Sequence, residues 1–221
     1  MEPRKPKLFL PFSNPLLKFE LPYEEYFRTS LIKECLNYKN QQDTINADAA
    51  NRQVGWQSQK ILFQTQEPCL KKISQYILSA VQSMSKSISP NIKLDDFNTA
   101  SEGWININQQ GSLHFPHTHG NTTFAGVFYV KVPEATKTTN HNNLIKQGFI
   151  EFLDPRNDVS SWACGIQEFR ESTPFDQRML LAPKEGVLLV FPGWLKHWVY
   201  PNIDNEERIS ISFNCKLVKK N

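Results

Sequence analysis

From residue 92 onward the chain consists of short segments rich in apolar, β-branched and aromatic residues. Gly and Pro separate these segments, as at Pro183, Gly186 and Pro201, and both residue types favour turns. The segments predicted as strands are residues 92–99, 104–108, 123–130, 148–153, 179–182, 186–191, 197–200 and 208–217. This succession of short strands predicts a β-sandwich or jelly roll.

The first 90 residues have a different pattern. Apolar residues recur at helical spacing over residues 23–40 and again over residues 67–85, and residues 16–21 alternate as a short strand. We therefore predict a single domain over residues 1–221, mainly β with flanking helices. Residues 1–90 are expected to form a helical support region, and residues 91–217 a jelly-roll core.

The composition indicates a cytoplasmic protein without a membrane span. The net charge is +3 and the isoelectric point is near 8.6, so nucleic-acid binding is not indicated. No signal segment and no apolar run of spanning length is present. The four cysteines are far apart and form no CxxC pair, so we expect free thiols: Cys35, Cys69, Cys164 and Cys215.

Histidines concentrate just before the strand predicted at residues 123–130. Three of the five histidines, His114, His117 and His119, lie within six residues. Residues two apart in extended chain point the same way, so His117 and His119 can chelate one metal ion. His197 follows an apolar strand and a Pro-Gly turn, and it offers a third ligand. His114 is expected to line the site, and His141 to lie in an exposed loop.

Arg208 begins the last predicted strand, in the segment ERISISFN. Strand alternation places Arg208 and Ser210 on one face, and Ile209 and Ile211 on the other. An Arg beside a Ser can bind a carboxylate through paired hydrogen bonds and a hydroxyl. Alternatively, Arg208 lies at a sheet edge and pairs with a surface acid.

Four segments in a fixed order resemble the Fe(II)- and 2-oxoglutarate-dependent oxygenase superfamily. They are HTHGNTTFAGVFYVKVP, GFIEFLDPR, GVLLVFPGWLKHWVYP and ERISISFN, and they fall within residues 100–215. GWQS at residues 55–58 is a weaker upstream match. The most similar branch is a group from marine bacteria and cyanophages, distantly related to prolyl hydroxylases. The resemblance implies a double-stranded β-helix, or cupin-like jelly roll, in the cytoplasm of a bacterial or phage-infected cell.

The resemblance also implies roles for individual residues. His117 and His197 would be ligands of Fe(II). Arg208 would hold the far carboxylate of the co-substrate 2-oxoglutarate, with Ser210 assisting and Tyr129 adding a hydroxyl group. Two asparagines of the preceding strand would orient co-substrate or substrate: Asn106 or Asn108.

His119 departs from the family pattern, because the superfamily usually has Asp or Glu at this position. A neutral imidazole does not offset the charge of the metal, whereas bound 2-oxoglutarate, a dianion, does. His119 is either a ligand or a group behind the ligands, and the two-residue spacing from His117 favours a ligand.

The implied function is that of a dioxygenase that hydroxylates an unknown primary substrate with release of succinate and CO2. Two alternatives are a non-catalytic, cupin-like metal-binding module and a three-histidine dioxygenase that uses no 2-oxoglutarate. Three histidines also suit catalytic zinc, but a hydrolytic zinc site has no use for a dicarboxylate clamp at Arg208. The polar segments at residues 134–147 and 157–177 carry no readable substrate motif, although Trp162, Phe169 and Phe175 are candidate pocket residues.

Overall fold

The computed structural model describes residues 13–41, 52–53, 55–134, 146–156 and 178–220. His141, Cys164 and most of the two polar segments lie outside these ranges, and so do Trp162, Phe169 and Phe175. Cys35, Cys69 and Cys215 are free thiols, as expected. In the part of the chain that the structure describes, neither helix combines the length and apolar character that crossing a membrane requires.

Eleven strands and two α-helices make up the described residues. In chain order they are β1 (Leu17–Glu20), α1 (Glu25–Gln41), β2 (Arg52–Gln53), β3 (Trp56–Gln57), α2 (Pro68–Ile88), β4 (Phe97–Asn108), β5 (Leu113–His117), β6 (Phe124–Lys131), β7 (Ile150–Leu153), β8 (Arg178–Leu181), β9 (Val187–Pro192), β10 (His197–Val199) and β11 (Arg208–Lys219). A 3-10 turn, Leu94–Asp96, precedes β4.

The strands form two antiparallel sheets. The major sheet has the order β1-β9-β6-β11-β4-β3, and the minor sheet has the order β2-β5-β10-β7-β8. β11 pairs with β4 over its whole length, from Arg208 opposite Asn108 to Lys219 opposite Phe97. The fold is the expected double-stranded β-helix, and three short strands from the first 90 residues, β1, β2 and β3, join its sheets.

The core has two layers because the central strands of the major sheet are buried on both faces. Phe128 of β6 packs with the helices, in a cluster that includes Ile73 and Ile77 of α2. The neighbouring Val127 and Tyr129 belong to a second cluster between the sheets, with Phe152 and Phe191. Strands covered on both sides read as continuous apolar runs, which explains the sequence of β6.

α1 supplies the cap of α2. Glu67 is the N-cap residue of α2, but its side chain accepts no capping hydrogen bond, and Pro68 begins the helix. The Glu34 carboxylate of α1 instead accepts hydrogen bonds from the backbone N–H groups of Cys69 at 3.0 Å and Leu70 at 2.9 Å. A carboxylate at a helix N-terminus satisfies free N–H groups and suits the helix dipole. This contact fixes one helix against the other.

Most predicted elements are confirmed, including both helices and the strand at residues 16–21. The prediction of two strands at residues 92–99 and 104–108 is wrong, because a 3-10 turn and one twelve-residue strand, β4, occupy this region. Local alternation is weak in the first half of β4, where Asn98 and Thr99 are exposed. Pairing with β11 supplies the backbone hydrogen bonds that extend the strand there.

Candidate active site

Strand pairing in the minor sheet brings His117 and His197 together. His117 ends β5, His197 begins β10, and the two residues lie directly opposite each other. His119 lies two residues beyond β5, and its backbone N–H donates to the Gly193 carbonyl at 2.8 Å. The candidate ligand atoms of the three histidines all lie within 4.8 Å of one another. The three histidines chosen from the sequence therefore converge in the structure.

The ring orientations suit a metal ion. His117 Nδ1 lies 2.6 Å from the Phe115 carbonyl oxygen, and His197 Nδ1 lies 2.9 Å from the Leu195 carbonyl oxygen. A carbonyl only accepts, so each Nδ1 carries the hydrogen and each Nε2 keeps its lone pair. These two Nε2 atoms are available as ligands.

Burial also keeps these rings neutral. It lowers the pKa of His117, and together with the nearby His117 it lowers the pKa of His119 to about 4. Burial, followed by the charge of His117, lowers the pKa of His197 to about 3. Neutral imidazole is the form that binds metals, so the site offers three nitrogen donors at neutral pH.

Arg208 is a buried cation in the same cavity. It is 3% exposed, and it lies in β11 between β4 and β6 rather than at a sheet edge. Its Nη1 donates to Asn108 Oδ1 at 3.2 Å, while Nε is buried without a hydrogen-bond partner in the described chain. None of the ion pairs among the described residues involves Arg208. The alternative of an edge arginine paired with a surface acid is therefore wrong.

Other polar side chains face the cavity next to Arg208. Tyr129 and Asn106 lie on either side of Ser210 in the major sheet. The Tyr129 hydroxyl and Asn106 Oδ1 are buried and have no hydrogen-bond partner within the described ranges. Burial raises the pKa of Tyr129, against the opposing effect of Arg208, so its hydroxyl keeps its hydrogen. Buried polar atoms without partners are uncommon, and here they mark a place for a polar ligand.

The cavity between the sheets has a volume of about 230 Å³. Its lining includes the three clustered histidines and also Arg208, Ser210, Tyr129, Asn106 and His114. The sequence analysis missed three further residues of the lining, Lys60, Glu102 and Asn214. The Glu102 carboxylate accepts hydrogen bonds from Lys60 Nζ at 2.6 Å and from Asn214 Nδ2 at 3.0 Å. The signal was present in strand alternation, since Glu102 is in phase with Asn106 on β4 and Asn214 with Arg208 on β11.

Residues 102–214, just over half of the chain, match the profile of the family described as "Putative 2OG-Fe(II) oxygenase". No match was found among curated proteins.

Solved structures support the fold. A prolyl-4-hydroxylase from Pseudomonas putida is 14% identical, with 95% of each chain covered and a TM-score of 0.59. A prolyl hydroxylase from Trichoplax adhaerens, solved with a peptide fragment of the hypoxia inducible factor oxygen degradation domain, is 14% identical, covering 92% of this chain and 84% of that one, with a TM-score of 0.57. HygX from Streptomyces hygroscopicus, solved with nickel and 2-oxoglutarate, is 9% identical, covering 92% and 83%, with a TM-score of 0.55. These likenesses show a shared double-stranded β-helix, and with the profile match over half its length the chain belongs to the 2OG-Fe(II) oxygenase family.

Proposed function

We propose that the protein is an Fe(II)- and 2-oxoglutarate-dependent dioxygenase that hydroxylates a primary substrate and releases succinate and CO2. The observation that carries the proposal is Arg208, a buried guanidinium without an ion pair in the described chain, in one cavity with three neutral histidines. A buried charge is costly unless an opposite charge reaches it, so this site calls for an anionic ligand.

The residues present fit both groups. His117, His119 and His197 would hold the iron, and nitrogen donors of this kind suit Fe(II) and also Ni(II) or Zn(II). When bound, the iron supplies the dioxygen chemistry that protein side chains lack. Membership of the family favours iron and 2-oxoglutarate as the pair used in the cell.

The protein's own part is binding, orientation and exclusion of water. Arg208 would donate hydrogen bonds to the far carboxylate of 2-oxoglutarate, and the Tyr129 and Ser210 hydroxyls would donate to the same group. Asn106 would orient the co-substrate or the primary substrate. These side chains are almost completely buried, and charge-assisted hydrogen bonds are stronger where water is excluded.

The test is release of succinate from 2-oxoglutarate with added Fe(II) and air. We expect His197→Ala and Arg208→Met each to lower the rate by about 100-fold or more. His197→Ala removes a ligand of the metal, and Arg208→Met removes the buried charge that binds the far carboxylate. Lys219→Met is the matched control on the same strand, since Lys219 is exposed, forms no ion pair among the described residues and lies outside the cavity lining. If His197→Ala turns over 2-oxoglutarate as well as the wild type does, the proposal is wrong.

The residue types in the histidine cluster favour a second candidate function. Among the described residues, this group of potential ligands contains three histidines and no carboxylate. The second candidate is therefore a three-histidine dioxygenase that uses no 2-oxoglutarate, in which Arg208 binds a carboxylate of the primary substrate. Oxygen consumption that is independent of 2-oxoglutarate would support this candidate, and metal binding without any oxygen consumption would support a non-catalytic module.

A further inference from the structure

We infer that Asn108 and His114 are positioning residues that hold Arg208 in the orientation needed to bind the far carboxylate of 2-oxoglutarate. The inference rests on the proposed function. It assigns a role to a histidine outside the metal cluster, and it defines what the asparagine next to Arg208 does.

Two hydrogen bonds in series link the three side chains. Arg208 Nη1 donates to Asn108 Oδ1 at 3.2 Å, and Asn108 Nδ2 lies 3.2 Å from His114 Nε2. Arginine only donates, so the oxygen of the Asn108 amide has to face it. The amide nitrogen then faces His114, whose Nε2 has to accept. His114 thus sets the amide orientation that presents an acceptor to Arg208.

Asn108 itself is held firmly. It is 3% exposed, it lies opposite Arg208 in the sheet, and its backbone carbonyl accepts from Asn202 Nδ2 at 3.0 Å. The partner of Arg208 therefore sits on a rigid strand, and rigid support is what keeps a binding group within a narrow range of geometry.

Gly148 lies close to the Arg208 side chain. Gly148 has φ +64°, and a Cβ at this position would lie 3.3 Å from Arg208 Cδ and 3.6 Å from Nε. The Tyr129 ring centroid is 5.4 Å from Arg208 Cζ. With Nη1 bound to Asn108, the guanidinium is fixed, and its buried Nε has no partner within the described residues. Nε and the Nη hydrogens that are not bound to Asn108 are the donors left for an anionic ligand.

The experiment measures binding of 2-oxoglutarate to the Ni(II)-loaded full-length protein by isothermal titration calorimetry. We expect His114→Phe to weaken binding at least fivefold, because it removes the acceptor that orients Asn108. His114→Gln offers a side-chain oxygen as acceptor and should restore affinity to within about twofold of the wild type. Asn108→Asp places a carboxylate beside Arg208 that competes with the ligand, and we expect at least a tenfold loss.

Affinity for Ni(II) alone and the thermal unfolding temperature are measured for every variant. We expect Ni(II) affinity to stay unchanged, because neither positioning residue belongs to the metal cluster. Equal weakening by His114→Phe and His114→Gln would overturn the inference, and so would a loss of Ni(II) affinity as large as the loss for 2-oxoglutarate. Wild-type binding by His114→Phe would overturn it while leaving the proposed function intact. Wild-type binding by Arg208→Met would instead overturn the proposed function.

Discussion

In the proposed metal site, His119 would stand where the superfamily usually has an acidic ligand, and this difference would change the charge of the site. A carboxylate ligand offsets one unit of the charge of a divalent metal, whereas a neutral imidazole offsets none. Arg208 adds a further buried positive charge in the same cavity. In the proposed site, bound 2-oxoglutarate, a dianion, would therefore carry more of the charge compensation than it does beside an acidic ligand.

We predict that 2-oxoglutarate and metal strengthen each other's binding. The affinity for Ni(II) should rise about tenfold when 2-oxoglutarate is present, and by thermodynamic linkage the metal should strengthen 2-oxoglutarate binding by the same factor. His119→Asp should reduce this coupling, because the new carboxylate supplies negative charge on its own. Calorimetric titrations in both orders measure the coupling. Equal coupling in wild type and variant would contradict the electrostatic explanation.

Gly193 controls the position of His119. A Cβ on Gly193 would lie 2.5 Å from the Thr122 carbonyl oxygen and 3.0 Å from that of His119. We predict that Gly193→Ala displaces the loop and weakens Ni(II) binding by about tenfold, since ligand geometry has to be held closely. Gly120→Ala is the control in the same loop, because its Cβ would meet no atom within 4 Å. A similar loss in both variants would show that the loop tolerates no side chain, and it would contradict the role given to Gly193.

At the scale of single elements, we predict that the cap which Glu34 of α1 provides for α2 contributes measurably to the free energy of unfolding. Glu34→Gln removes the charge, and Glu34→Ala also removes both hydrogen bonds to the start of α2. We expect Glu34→Ala to lower the free energy of unfolding by about 1 to 2 kcal/mol in urea, with Glu34→Gln between it and the wild type. Lys33→Ala, on the exposed neighbouring position, should change it by less than about 0.5 kcal/mol. A loss as large for Lys33→Ala would contradict the role given to the cap, because alanine favours a helix more than either replaced residue does.

The elements also show how far the sequence could be interpreted. Strand alternation correctly placed Arg208 and Ser210 on the cavity face of β11, because a period of two is a local property. His197 could be proposed as a third ligand from its position after a strand and a turn. Its pairing opposite His117 could not be predicted, since local periodicity does not encode which distant strands pair. The sequence named Asn108 as a candidate to orient co-substrate or substrate, but it did not predict the contact with Arg208, because that residue lies on another strand. The unbroken length of β4 likewise depends on β11.

At the scale of the whole molecule, Arg208 predicts a conflict between stability and ligand binding. Without a ligand, its buried charge has one hydrogen bond and no counter-ion among the described residues. Without ligand, we expect the free energy of unfolding of Arg208→Met to equal that of the wild type or to exceed it by about 1 kcal/mol. Replacing an uncompensated buried charge by an apolar side chain is often favourable. With Ni(II) and 2-oxoglutarate, the wild type should gain stability and the variant should not. Strong destabilisation of the unliganded variant would make Arg208 a structural residue instead.

Other whole-molecule expectations stay predictions. They are a single domain over residues 1–221, a cytoplasmic location, and membership of a branch from marine bacteria and cyanophages. The primary substrate belongs with them, since the polar segments expected to define it lie largely outside the described residues. Product analysis after incubation with cell extract, Fe(II) and 2-oxoglutarate is the direct route to its identity.

The direct opposition of His117 and His197 across β5 and β10 links the proposed metal site to the register of the minor sheet. A slip of one residue in this pairing would turn one imidazole to the other face of the sheet and leave the metal with too few donors. A metal ion held by all three histidines would therefore bind the correctly paired sheet and stabilise it over a sheet with slipped strands.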